Sequence, residues 1–467
     1  MSENQQEKGW ALLKQAVVGN SAIDFTQGSI ARATFLLAVP MIIEMAMESI
    51  FAVVDIFFVS GVGTEAVATV GLTEAVITLL YAIAMGLSMG TTALVARRMG
   101  EKNREAASIT AAQALWLAAL ISVLVGLTGI LFGEDILRLM GAEPGVVETG
   151  RSYTTIMLGS SFTIFFLFLI NAIFRGAGDA SLAMRTLVLA NGINILLDPC
   201  LIYGVGPFPE LGVTGAAVAT NIGRGCGVLY GVYYLFSADN RIRLVRDYAA
   251  LQSKVLLAIL RISFGGVAQM LIATASWVFL MRIVSEFGGS AVAGYTIAVR
   301  IVLFIILPAF GLSNATATLV GQNLGARLPE RAEATVWKVM QYVSYYMLGT
   351  ALIALVFDEQ LIGLFSTDPE VLDYGVACLQ IFSYGLVFFG ISGTSVQAFN
   401  GAGDTMTPTW INFFSFWIVQ VPLAYVLALG SGLGPVGVFW AVFVSDVLAG
   451  ILGVFFFRRG SWKSKMV

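Results

Sequence analysis

Twelve stretches of about 20 or more mostly apolar residues follow one another along the chain, and that pattern leaves few folds open. They cover residues 32–58, 67–95, 106–132, 147–173, 183–205, 212–236, 255–284, 290–320, 333–357, 372–399, 408–430 and 434–457. Twenty helical residues rise about 30 Å, the thickness of a bilayer's hydrocarbon core. No water is present there to satisfy backbone groups, so each stretch is predicted to be a helix. With 58% apolar and 12% charged residues, the chain reads as an all-α polytopic membrane protein.

Charge alternates between the connections. Arg97, Arg98, Lys102 and Arg104 follow the second span, Arg175 and Arg185 flank the turn after the fourth, and Arg241, Arg243, Arg246 and Lys254 follow the sixth. Arg327 and Arg331 follow the eighth, and Arg458, Arg459, Lys463 and Lys465 close the chain. The intervening loops are poor in Lys and Arg, apart from Arg138 and Arg151 between the third and fourth spans. Both termini are therefore expected in the cytoplasm, with the protein in the plasma (inner) membrane. The N-terminus lacks a signal peptide's basic head and short apolar core, and is expected to remain as a tail.

The chain also repeats itself. AIFRGAGDA at 172–180 returns as QAFNGAGDT at 397–405, and GLSMGTTALVARRMG at 86–100 as GLSNATATLVGQNLG at 311–325, both offset by 225 residues. LGVTGAAVA at 211–219 answers LGPVGVFWA at 433–441. Six spans separate the copies, so two six-helix bundles of like topology, related by an axis along the membrane normal, are expected. The divisions predicted are a tail over 1–30, an N-lobe over 31–236, a cytoplasmic linker over 237–254, a C-lobe over 255–457 and a tail over 458–467.

Against this apolar background, the first span carries Glu44, Glu48 and Asp55 within roughly 40° of one another, on a stripe about 16 Å long. Charges in hydrocarbon are costly, and intramembrane carboxylates are functional candidates. The repeat sharpens this. Glu44 aligns with Gln269, Asp55 with an apolar residue near 278–280, and Asp198 of the fifth span with Val421. A need common to both halves cannot explain acids present in only one, so cation or proton handling is assigned to the N-terminal bundle. Asn191, Asn194 and Asp198 share one face of the fifth span, and Pro199 removes a backbone donor beside them. Such oxygens suit sodium, or a proton on a carboxyl group. Glu74, Arg224 and Arg300 are expected to form structural pairs within the membrane, and Asp446, aligned with Arg224, to join an ion pair.

Other chemistries find little support. The chain has no histidine, and Cys200, Cys226 and Cys378 show no metal-ligand or disulfide spacing. The R-G-A-G-D and N-G-A-G-D turns lack the strand and the lysine of a nucleotide fingerprint, so neither ATP nor another cofactor is expected. Expected partners are small molecules and the bilayer, with no nucleic acid, around a monomer. Methionines and aromatics, among them Met41, Met45, Met47, Phe51, Met157 and Trp277, would suit loose binding of flat organic cations.

The ordered set of VDIFFVSGVG after Pro40, GLSMGTTALVARRMGEKNREAA, NAIFRGAGDA, NILLDPCLIYG with LGVTGAAVAT, and NGAGDT resembles the multidrug and toxic compound extrusion (MATE) family over residues 30–460. That resemblance implies two six-helix lobes in a V, and export of drugs driven by a proton or sodium gradient. It implies a coupling role for Asp55, with Asn194 and Asp198 as cation or proton partners, Thr220 as a further oxygen ligand, and Asn171 and Tyr153 lining the same lobe. Sodium, where it is the coupling ion, would be held by Asp55, Asn194, Asp198 and Thr220. The NorM branch carries extra acids in the seventh and tenth spans; here the seventh has Gln269 and the tenth has no acid within FSYGLVFFGISGTSVQAF, so a DinF-like scheme confined to the N-lobe fits better. Glu44 and Glu48, with Gln269, lie outside the family pattern and stand as a possible substrate or secondary proton site. A lipid-linked precursor flippase of the same superfamily is the alternative; it calls for a basic cavity, for which Arg224, Arg282 and Arg300 are the few candidates. A membrane enzyme finds no nucleophile or metal constellation.

Overall fold

The computed structural model describes residues 3–19, 23–237 and 240–465, and among these no strand is present. In the first half the helices are α1 (Glu3–Val18), α2 (Ile30–Ser60), α3 (Thr64–Gly100), α4 (Arg104–Leu139), α5 (Pro144–Gly159), α6 (Phe162–Ala177), α7 (Ala180–Tyr203) and α8 (Val213–Phe236). In the second they are α9 (Ser253–Ser285), α10 (Gly289–Gly325), α11 (Pro329–Val356), the short α12 (Asp358–Gly363), α13 (Pro369–Gly401), α14 (Met406–Asn412), α15 (Val421–Tyr425) and α16 (Pro435–Arg459).

Ten helical runs are long and apolar enough to cross a membrane, with α5 and α6 counted as one run and Met406–Gly430 as another. The chain is a multi-pass membrane protein. Of the twelve predicted spans, α2 and α8 have the length, at 31 and 24 residues, but stand outside those ten. Glu44, Glu48 and Asp55 interrupt the apolar character of α2, and Arg224 with a series of glycines interrupts that of α8. Two spans are less regular than predicted. Ser160 and Ser161 break the fourth between α5 and α6, and the eleventh passes through π-helical turns at Phe413–Gln420 and Val426–Gly430 around Pro422, which cannot donate to the carbonyl of Ile418. The N-terminal tail contains the helix α1, which the sequence reading did not assign.

The chain forms two compact units. One contains the residues up to Ile23 together with Ile43–Ser263; the other contains Asp24–Ile42 and the residues from Phe264 onward. The units do not follow chain order: the segment at 24–42 packs with the second unit, and that at 237–263, which includes the linker, with the first. Arg331 donates to the carbonyls of Gly28 and Gln27, both at 3.0 Å, and holds the start of the chain's first span in the second unit. In the first unit, Arg241 of the linker donates to the carbonyls of Ala177 at 3.0 Å and Ile23 at 2.8 Å, while Gln113 bonds both Ala250 and Gln252. α2 thus changes unit just past Pro40, whose ring removes the bond to the carbonyl of Leu36.

The repeat is visible inside each unit. α3 packs on α6 as α10 packs on α13, and α7 lies beside α8 as α15 lies beside α16. Ser88 donates to the carbonyl of Phe168, and its counterpart Ser313 bonds Thr394. Gly178 and Gly403 adopt left-handed φ values of 82° and 81°, and Asp179 then caps α7 by accepting from the amide of Leu182. The G-A-G-D motif is therefore a helix stop followed by a helix start. Its first glycine serves close approach: a Cβ at Gly176 would lie 2.9 Å from the carbonyl oxygen of Thr92, and one at Gly401 would collide with that of Ala317, the corresponding residue. Small residues allow such crossings where lipid offers helices little hydrophobic drive to associate.

Replacing Gly401 with Ala should destabilise the protein by about 1–3 kcal/mol through overpacking against backbone, which cannot rotate away. The readout is thermal unfolding of the purified protein; Gly393→Ala, where no atom lies within 4 Å of the new Cβ, should leave the transition in place.

Candidate functional site

The first unit gathers most of the residues singled out from sequence. α7 presents Asn191, Asn194 and Asp198 on the face predicted by their spacing, and all three are buried. The Asn194 amide donates to Asp198 Oδ1 at 3.3 Å and to Thr220 Oγ1 on α8 at 3.1 Å. Gly223 makes this possible: a Cβ there would lie 3.1 Å from that of Asn194 and closer still to the carbonyl of Ala190. With its amide hydrogens committed, Asn194 has an Oδ1 without a donor, and Asp198 Oδ2 and Asn171 Oδ1 lack one as well. Three acceptor oxygens are thus buried in one unit with no hydrogen atom directed at them. Buried acceptors without partners are rare in folded proteins, and they attract a cation, a proton or a water molecule.

Asp55 on α2 is 9% exposed and Asp198 fully enclosed. Asp55 lies within the electrostatic reach of Glu74 and Arg224, and Asp198 within that of Asp55. Tyr153 is buried and feels Asp55, Glu74 and Arg224, which puts it in the same group. Among the described residues no cluster of three or more His, Cys, Asp or Glu could hold a metal ion. The oxygens on offer come instead from a carboxylate, an amide and a hydroxyl at Asp198, Asn194 and Thr220, a hard, singly charged set that suits a monovalent cation.

Further along α2 the acids have partners that sequence reading did not supply. Arg175 Nη1 donates to Glu44 Oε1 at 2.6 Å, and Asn191 Nδ2 donates to Glu48 Oε2 at 3.0 Å. Arg175 was expected to lie in a cytoplasmic turn, but the last turn of α6 carries it inward, where its side chain is only 16% exposed. The repeat holds a signal for this pair, since Glu44 and Arg175 correspond to Gln269 and Asn400, so both charges become amides together. Gln269 is buried in the second unit, with an Oε1 that lacks a donor.

Arg224 was expected to pair with an acid. Its guanidinium donates instead to the Tyr81 hydroxyl at 2.6 Å and lies over that ring, 5.8 Å from its centroid, with Glu48 in its field. A delocalised cation tolerates an aromatic face where a compact ammonium would not. Arg300 and Glu74 are exposed, and Asp446 has no ion-pair partner among the described residues, so the structural pairs predicted for them do not form.

The MatE family model matches the chain twice, over residues 40–200 and 267–426, one block from each half. The chain belongs to the MatE family. It is similar to the probable multidrug resistance protein YoeA of Bacillus subtilis, with 28% identity covering 94% of this chain and 96% of that one. An FAD transporter of Shewanella oneidensis is 26% identical over 92% of this chain and 95% of its own length. A solved outward-facing multidrug resistance MATE transporter of the MOP superfamily superposes with a TM-score of 0.89 at 28% identity, covering 96% of this chain and 99% of that chain. MatE proteins are transporters, and this chain is one rather than an enzyme.

Removing one member of the Glu44–Arg175 pair leaves the other charge buried. Arg175→Ala should cost about 3–5 kcal/mol of stability, and Glu44→Gln combined with Arg175→Gln, the pair's amide form in the other half, should recover most of it. Thermal unfolding of the three proteins in one detergent checks this.

Proposed function

We propose that this MatE transporter is a cation-coupled antiporter that exports cationic and amphipathic drugs and other toxic organic compounds by alternating access. The observation that carries the reading is the surplus of acid in the first unit. Glu44, Glu48, Asp55, Glu74 and Asp198 share it with Arg175 and Arg224, and three acceptor oxygens, on Asn171, Asn194 and Asp198, have no donor. The multidrug names of similar proteins support the same cargo class.

In this scheme a proton or sodium ion loads at Asp55, Asn194, Asp198 and Thr220, with Asn171 and Tyr153 lining the site. Loading cancels charge that would otherwise hold a cationic drug. Ion and drug then exclude one another, and antiport requires only that competition and a change of state that the loaded forms undergo. Pro40 weakens α2 between Asp55 and the chain start and is the natural hinge. Coupling confined to the first unit follows from the missing acids in the seventh and tenth spans. A lipid-linked precursor or a flavin dinucleotide carries phosphate, which an acid-rich site repels; that weighs against a flippase and against the cargo named for the Shewanella relative. The protein is further proposed to act as a monomer in the plasma membrane, with both termini cytoplasmic and without ATP.

Efflux from proteoliposomes, driven by a sodium gradient alone or by a pH gradient alone, tests transport and chooses the ion. Asp55→Asn and Asp198→Asn should each reduce gradient-driven export more than about tenfold at unchanged protein level. An Asp55→Asn protein with full export would overturn the coupling scheme.

A further inference from the structure

The second unit holds a cavity for which the coupling scheme has no use. It is lined by Trp277, Phe382, Phe389 and Phe416, by Ile306 and other aliphatic residues, and by three polar side chains, Ser276, Gln420 and Asp446. Two of these three are satisfied. Ser276 donates to Gln420 Oε1 at 2.6 Å, and Gln420 Nε2 donates to Ser445 Oγ at 2.8 Å. Asp446 has neither a hydrogen bond nor an ion pair among the described residues, although it lies near the middle of the 25-residue α16. Gly385 brings the carboxylate against α13: a Cβ there would lie 3.3 Å from Asp446 Oδ2. A carboxylate at membrane depth without a partner attracts a cation or a proton.

The repeat shows that this is a departure rather than a leftover. In the first unit the position of Asp446 is taken by Arg224 and that of Ile306 by Tyr81, and those two side chains satisfy one another. In the second unit the sign is inverted, the phenol is gone and a cavity stands between the two positions. The π-helical turn Phe413–Gln420 supplies Phe416 and Gln420 to its wall, and π-turns are frequent at functional sites.

We propose that this cavity is a second cargo site, which takes the compact ammonium head of an organic monocation, quaternary or a protonated amine, between Asp446 and the aromatic walls. The space is about 50 Å³, several times the roughly 10–15 Å³ needed for one water. That is room for a head group rather than for a whole drug. Four aromatic rings and one carboxylate recognise alkylammonium by combining cation–π attraction with a formal charge, and a bare inorganic ion would gain little from the rings. The inference deepens the exporter reading and rests on it for the meaning of the site.

The test is calorimetric titration of the full-length protein in detergent with benzyltrimethylammonium, and with neopentylbenzene, its uncharged isostere. Wild type should bind the cation well ahead of the isostere. Asp446→Asn should weaken cation binding by about tenfold and abolish the preference, Asp446→Glu should keep it, and Ile306→Trp should weaken both ligands by filling the space. Size-exclusion profile and unfolding temperature establish that each variant is folded. Unchanged cation binding in folded Asp446→Asn overturns the proposal, as does equal binding of the isostere to wild type. Efflux from proteoliposomes separates the two readings: export with unaltered Asp446→Asn binding sinks this site alone, and absence of export under either gradient sinks the exporter.

Discussion

Charge inside hydrocarbon is the constraint from which the structure of this protein can be understood. A carboxylate at membrane depth must be paired, hydrated, neutralised or given a passing cation. The acids here differ in what surrounds them. Glu44 has a guanidinium, Glu48 an amide, Asp198 an amide on one oxygen and nothing on the other, and Asp446 a cavity. The order along α2 is informative: the acid in an ion pair, Glu44, stands nearest Pro40, and Asp55, the acid with least direct bonding, stands farthest from it.

Duplication supplied a scaffold and divergence supplied the chemistry. Crossings at Gly176 and Gly401, serine bonds at Ser88 and Ser313, and left-handed turns at Gly178 and Gly403 recur because two bundles with the same helix pairing face the same steric problems. Positions free of that demand have drifted in charge. Glu44 with Arg175 became Gln269 with Asn400, and Arg224 with Tyr81 became Asp446 with Ile306. Pairs change together since a lone charge left behind would be far costlier than the pair or its neutral replacement.

Much of the fold was legible before any coordinates. Spans show in sequence because lipid demands long apolar runs, and the fifth span's Asn191, Asn194 and Asp198 could be put on one face from helical periodicity alone. What escaped was contact between residues distant in the chain. Arg175 looked like a loop cation, since its place in R-G-A-G-D does not reveal that α6 turns it inward. Asp446 looked like half of an ion pair, since alignment with Arg224 says nothing about what surrounds either residue.

The sequence by itself determined the helical class, the duplication and the absence of acidic counterparts to Glu44, Asp55 and Asp198 in the second half, because length, periodicity and repetition are one-dimensional properties. Only tertiary structure decided which acid is held by which partner, where α2 changes unit, and that an acid of the second half opens onto an aromatic cavity. Those are matters of distance across packed helices. A charge in a membrane acquires its meaning from the few ångströms around it, and residues from several helices fill that space.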